Sequence, residues 1–244
     1  MSVKSKVFAA AAALTLVGGA GAIAASATAA NAATPSCGFS CIDVFNHDFG
    51  THAHPNFVQD TFRQGEKVGQ PQILFRVANF DPAEDYTFSY QGTVADFYAA
   101  GLVTAAVDLH YGGLAAGFPN DLAFELQYSP YGVDSGLCSG VASTAVAGEK
   151  VTLQPCGVSA KTVWIEDAPE TPYSSYIPFI NGSDTNFSQP FVLTYPANAY
   201  PTDNPRPSLY VSNITGSKGA NGQPFIGTVN SSQLFGIDTG ILAP

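Results

Sequence analysis

The chain has 244 residues, with 19 Asp+Glu against 9 Lys+Arg and only 11% charged positions, well under the roughly 25% of an ordinary soluble domain. The acidic balance, with a pI near 4.5, excludes nucleic acid and anionic lipid as expected partners, because both need a positive electrostatic footprint. Hydrophobic residues at 45% and aromatics at 12% supply ample material for a core and exclude a chain that is disordered by composition.

The first expected element is an address label. Lys4 and Lys6 precede an acid-free, Ala-rich stretch from Val7 to about Ala25, which ends in the small residues Ala30-Asn31-Ala32; this is the pattern of a secretory signal peptide. The glycines at 18, 19 and 21 weigh against a transmembrane anchor, and no later stretch approaches the roughly 20 apolar residues a span requires. The expected organisation is therefore a signal peptide over 1–32 and a single all-β domain over 33–244, secreted and without a membrane anchor.

Cys37, Cys41, Cys138 and Cys156 form an even set, which in an exported chain argues for two disulfides with three connectivities formally open. Proximity in sequence favours Cys37 with Cys41 and Cys138 with Cys156. A zinc site would want close Cys pairs at both ends, and only one such pair exists.

Strand signals dominate the rest of the chain. Candidates in chain order are Ile73 to Val77, Tyr86 to Gln91, Leu122 to Ser129, Val151 to Leu153, Thr162 to Ile165, Phe191 to Tyr195, Leu209 to Val211 and Gln233 to Ile237. In the second and third, apolar and polar residues alternate as in half-buried strands. Ala95 to Val107 is mixed: its alanines permit a short helix, while Gly101 and the branched residues permit a strand. The proline-rich passage from Tyr195 to Pro207 predicts a surface crossing, since proline removes ladder donors from a central strand. Few helices are expected.

An internal echo organises these strands. Leu137-Cys138-Ser139-Gly140-Val141 leads to Val151-Thr152-Leu153-Gln154-Pro155-Cys156 and then to Thr162-Val163-Trp164. Ser40-Cys41-Ile42-Asp43-Val44 and Leu209-Tyr210-Val211-Ser212-Asn213 open looser copies of the same order, the latter ending in Gln233-Leu234-Phe235. Three units that cannot bury their own apolar faces would close around a common axis. The pattern resembles the ricin-type β-trefoil, the Gln-x-Trp lectin family, whose repeats carry a Cys-Leu-Asp-Val-like strand, a Val-x-Leu-x-x-Cys strand and a Gln-x-Trp strand. The resemblance implies a single β-trefoil-like domain, with a β-sandwich or another barrel as the alternative. It also implies a disulfide inside the middle repeat and a sugar-binding aspartate at position 43, where the middle repeat has Gly140 and the last has Ser212. The departures are Thr162 where glutamine is expected, Phe235 in place of tryptophan, and repeats longer than the usual 40 or so residues.

Sugar recognition needs an acceptor carboxylate, amides and an aromatic face; Asp43 with Asn56 and Phe57 in the following loop is the expected carbohydrate-binding set. His52 and His54, with His47 or Asp48 as the third ligand, could form a three-ligand metal site, against the plainer reading of a solvated loop before Pro55. Catalytic signatures are missing: there is no Gly-x-Ser-x-Gly elbow, no His-Glu-x-x-His, and no phosphate or dinucleotide loop, so no catalytic residue or cofactor is expected. Two acidic clusters, Asp81/Glu84/Asp85 and Glu166/Asp167/Glu170, could serve glycoside hydrolysis but sit beside prolines as solvated turns do. Asp134-Ser135-Gly136, with His110 as a distant partner, lacks a hydrolase context. The sequons at Asn181, Asn186, Asn213 and Asn230 read as Asn/Ser turn chemistry. The expectation is a secreted, non-catalytic binding protein for extracellular carbohydrate, ahead of an envelope or inhibitor protein acting by protein contact and, third, a secreted glycoside hydrolase.

Overall fold

A computed structural model describes residues 41–51, 54–55, 57–76, 86–113, 120–166, 176–217 and 228–239. Twelve strands carry the architecture: β1 (Ile42–Asn46), β2 (Phe57–Thr61), β3 (Gln72–Arg76), β4 (Tyr86–Thr93), β5 (Leu122–Tyr128), β6 (Leu137–Gly140), β7 (Thr152–Pro155), β8 (Val163–Glu166), β9 (Phe179–Asn181), β10 (Phe191–Thr194), β11 (Tyr210–Asn213) and β12 (Phe235–Thr239). A two-residue ladder, Gly50–Thr51 with His54–Pro55, is added between β1 and β2. All of the strand candidates are found, within a residue or two at their ends.

Six strands form a closed barrel. Antiparallel pairing runs β1 to β4, β4 to β5, β5 to β8, β8 to β9, and β12 back to β1. The last gap, between the segment leading into β9 and β12, is closed by reciprocal bonds between Ile177 and Phe235, each N–H donating to the other's carbonyl at 2.9 Å. Closure removes the exposed sheet edges of an open sheet. The other six strands pair as three hairpins, β2 with β3, β6 with β7 and β10 with β11.

The hairpins meet in a ring of three main-chain hydrogen bonds. Gln72 N–H donates to the Val151 carbonyl at 2.9 Å, Val151 N–H to Leu209 at 2.9 Å, and Leu209 N–H to Gln72 at 2.8 Å. A cyclic relay of this kind makes the three residues equivalent about one axis. Four strands per repeat, six in a barrel and three capping hairpins on a pseudo-threefold axis constitute a β-trefoil. The repeats are β1–β4, β5–β8 and β9–β12.

This register corrects the phase of the sequence echo. The residues near 41, 138 and 210 begin β1, β6 and β11, which are the first, second and third strands of their respective repeats. The middle segment, 137–166, is in phase; the flanking two are displaced by one strand each. Aligned on Gln72, Val151 and Leu209, position 140 of the middle repeat corresponds to Asp60 and Thr194, because Asp60 pairs with Ile73 and Gly140 with Thr152. Asp43 and Ser212 stand elsewhere.

Alternation places the core. Phe124, Leu126 and Trp164 point into the barrel with Tyr86, Phe179 and Phe235, while Leu74, Leu153 and Val211, equivalent by register, seal its capped end. Burying each such side chain contributes about 1.5–3 kcal/mol before entropy is counted. The opposite face is also covered: Ala123, Val163, Ile165, Ile180 and Val192 pack under Val94, Phe97, Val103 and Val107. Those last four lie on or beside two short helices, α1 (Val94–Ala99) and α2 (Ala105–Tyr111), inserted between the first and second repeats. The Ala95–Val107 segment is thus helical. Thr93 caps α1 in a capping box with Asp96 and Thr104 caps α2, and Gly101 at φ 75° makes the break between them, a conformation open to a residue without Cβ.

Cys138 and Cys156 form a disulfide joining β6 to the end of β7, as the resemblance implied. Cys41 is also disulfide-bonded; Cys37 lies outside the described residues, as does the whole 1–32 segment. No helix among the described residues is long and apolar enough to cross a membrane.

Candidate functional site

The repeat-one hairpin opens onto a pocket of about 790 Å³, lined by Asp60, Phe62, Arg63, Gln64, Phe75, Asn204, Pro205 and Arg206. Its near wall is the β2–β3 hairpin and its far wall is the proline-rich 195–207 crossing of the third repeat. The crossing reaches this place because the β10–β11 hairpin is bound to β3 through the Gln72–Leu209 hydrogen bond. Threefold closure, and not sequence proximity, assembles the two walls.

Asp60 is fully buried, and its Oδ1 accepts the Thr61 N–H at 2.5 Å. Its charge acts on Tyr86 and Tyr128, whose hydroxyls are pushed well above the ordinary range, first by burial and then by Asp60. Tyr86 in turn donates to Gln72 Oε1, and Gln59 Nε2 reaches Gln72 Oε1 at 3.1 Å and Ser139 Oγ at 2.8 Å. The aspartate is thus backed by a polar layer that ties the hairpins together.

The turn between β2 and β3 starts with two residues in left-handed conformation, Arg63 at φ 59° and Gln64 at φ 51°. Such backbone is uncommon without glycine and costs on the order of 1 kcal/mol or more per residue. Gln70 holds it, its Nε2 donating to the Phe62 carbonyl. Phe75 is half-buried, with the Arg206 guanidinium 4.6 Å from its ring centre, and Arg63 stands 5.1 Å from the ring of Phe62.

Only the first repeat carries a carboxylate at this hairpin position. In the second, a Cβ on Gly140 would lie 2.5 Å from the Lys161 carbonyl oxygen and 2.9 Å from Thr162 Cα, so no side chain fits. In the third, Thr194 Oγ1 is engaged by the Val192 carbonyl and by Ser212 Oγ at 2.8 Å.

The residues expected from sequence fall elsewhere. Asp43 lies on barrel strand β1, half-buried and paired in register with Asp238, and is not among the residues lining this pocket. Phe57 is 4% exposed, its ring 5.8 Å from Phe49 and 5.6 Å from Tyr200, so it packs in the core and presents no open platform. Asn56 and His52 lie outside the described residues. His47 is exposed and stacks edge-on with Tyr176 at 4.7 Å; among the described residues no group of three or more metal-ligating side chains occurs.

The other candidates resolve into structural roles. Ser135 Oγ donates to the Tyr128 carbonyl at 2.5 Å and accepts from Leu137 N–H at 3.2 Å, which makes it a turn residue. His110 stacks on Phe187 at 4.4 Å. Glu166 closes β8, with burial raising its carboxyl above the usual range; Asp167, Glu170, Asp81, Glu84 and Asp85 lie outside the described residues. The sequon residues Asn181 and Asn186 each accept the hydroxyl of the serine two positions on, Ser183 at 2.6 Å and Ser188 at 2.8 Å, which is Asx-turn chemistry.

Sequence reasoning passed over Asp60, Phe75 and Arg206. A usable signal was present: Phe57-Val58-Gln59-Asp60-Thr61 matches Leu137-Cys138-Ser139-Gly140-Val141 once the hairpin strands are aligned, but Val58 replaces the cysteine that marks the motif.

No family model matches the chain, and no curated protein does. Two solved structures are similar at low identity. The designed 3-fold symmetric protein ThreeFoil aligns at 10% identity with a TM-score of 0.46, over 81% of this chain and 97% of that one. The mdaA-1 domain aligns at 9% identity with a TM-score of 0.44, over 83% and 91% respectively. The trefoil topology rests on the strand pairing and the hydrogen-bond ring themselves.

Proposed function

We propose that the protein is a secreted, non-catalytic carbohydrate-binding module whose site is the pocket between the β2–β3 hairpin and the 204–206 segment. The observation that carries this reading is the convergence of Phe75, Gln64 and Asn204 on one pocket, with Asp60 buried behind its wall. Amides supply donors and acceptors for ring hydroxyls, and an aromatic face covers the apolar side of a sugar ring. The resemblance supports the same place, since Asp60 is the register equivalent of position 140, the family's sugar-aspartate position in the middle repeat. Export is supported by the leader-like segment at 1–32 and by the disulfides, which persist in oxidising compartments.

The test is a glycan array probed with the chain lacking 1–32, followed by titration of the best ligand against Phe75→Ala and Asp43→Ala. Loss of binding in Phe75→Ala with retention in Asp43→Ala is the expected result. An array without any binding, or binding unaffected by Phe75→Ala, overturns the assignment of this pocket.

A further inference from the structure

We infer that the ligand of this pocket is an acidic sugar, with a carboxylate held by Arg63 and Arg206; the inference rests on the carbohydrate reading above and specifies its ligand class. The chain has three arginines in all, at 63, 76 and 206. Two line the pocket, and the third directly follows Phe75 on β3. In a molecule of net charge −10, two of the three guanidinium groups thus stand where the hairpin meets the crossing.

Both pocket arginines are oriented before any ligand arrives. Arg206 lies on the Phe75 ring and Arg63 on the Phe62 ring, so each planar fork loses less conformational freedom on binding. Among the described residues neither forms an ion pair or a side-chain hydrogen bond, which leaves their donors for a ligand. A guanidinium matches a carboxylate bidentately, in a geometry that a lone hydroxyl does not use fully.

A second cavity, of about 770 Å³, shares Asn204, Pro205 and Arg206 with the first and continues past Asp203 to Lys150 and Tyr210. Asp203 Oδ2 there accepts the Tyr200 N–H at 2.7 Å. The two cavities thus present cations at Arg63, Arg206 and Lys150. The occupant is an acidic sugar and not a neutral one.

The experiment is calorimetric titration of the chain lacking 1–32 with oligogalacturonate and with the matched neutral galactose oligomer. The uronate should bind at least about tenfold more tightly, and raising NaCl from about 50 to 500 mM should weaken it severalfold, since exposed charges are screened. Arg206→Gln and Arg63→Gln, both at exposed positions and compatible with folding, should each remove most of the preference for the uronate. Equal affinity for the two oligomers overturns the acidic-sugar inference and leaves the carbohydrate site standing. Tighter uronate binding that both variants retain overturns the arginine assignment. Binding of neither oligomer, with an empty glycan array, removes the carbohydrate reading itself.

Discussion

Asn46 and Asn181 hold the same station in two different repeats. Each ends the first barrel strand of its repeat and donates its Nδ2 back to the carbonyl three residues before the buried aromatic of the neighbouring repeat's last strand. The pairs are Asn46 to Ser232 at 3.2 Å, ahead of Phe235, and Asn181 to Lys161 at 3.0 Å, ahead of Trp164. Each also accepts the N–H two residues on, from Asp48 at 3.1 Å and Ser183 at 3.2 Å. Both side chains are fully buried. They are the polar staples by which one repeat grips the next.

Replacing either by alanine strands buried main-chain groups, so Asn46→Ala and Asn181→Ala should each lower unfolding free energy by about 1–3 kcal/mol. Their sites share no partner, and the double variant should show the sum within about 0.5 kcal/mol. Urea titration of the four proteins measures this; a double variant no weaker than the single ones contradicts the independence of the two staples.

Gly140 is a steric requirement of the second repeat. Gly140→Ala should cost about 1–3 kcal/mol, because the new methyl meets the Lys161 carbonyl and Thr162, and Gly140→Asp, with a larger side chain, should be worse. Thermal unfolding compared with an Ala substitution at solvent-facing Gly157 would separate this packing cost from backbone effects; at Gly157 nothing lies within 4 Å, and the cost there comes from φ 66° alone.

Glu125 is buried on the outer barrel face and anchors the disulfide loop. It accepts Gly157 N–H at 3.0 and 3.1 Å, Thr162 Oγ1 at 2.5 Å and Ser89 Oγ at 3.1 Å. A carboxylate so fully bonded is structural. Glu125→Ala should cost about 3 kcal/mol, since several donors lose a charged acceptor, and Glu125→Gln should cost less because one oxygen still accepts. Urea titration of the two variants measures both costs.

Buried tyrosines give the molecule an alkaline limit. Burial, and then Asp60, raises Tyr86 and Tyr128 above the unfolded value of 10.0. A folded pKa above the unfolded one leaves stability intact below that value and lowers it as pH rises past it, because the unfolded chain releases protons first. Urea midpoints should therefore hold steady up to about pH 9 and fall above about pH 10. Tyrosinate absorbance from the buried pair should appear only together with unfolding, whereas early ionisation in the folded state would contradict their burial next to Asp60.

The strands, the Cys138–Cys156 bridge and the existence of a repeat were legible in the chain, because each is written in local terms: alternation, spacing and recurring residue types. Phase was not. In the middle repeat the motif lies in consecutive segments, and Cys138, Cys156 and Trp164 pin it. In the first repeat Val58 takes the cysteine's place and Tyr86 the tryptophan's, so Cys41, one strand earlier, attracts the alignment and carries Asp43 with it. The α1–α2 insertion lengthens the spacing further and hides the period.

Composition and pattern alone determined an acidic, all-β chain with ample core and a threefold tendency, since hydrophobic alternation and turn residues act over a few positions. Which residues meet at the pocket was decided by tertiary structure. Asp60 and Arg206 are far apart in the chain and become neighbours only when Gln72, Val151 and Leu209 close their ring of hydrogen bonds. That closure depends on all three hairpins at once, and no local segment encodes it.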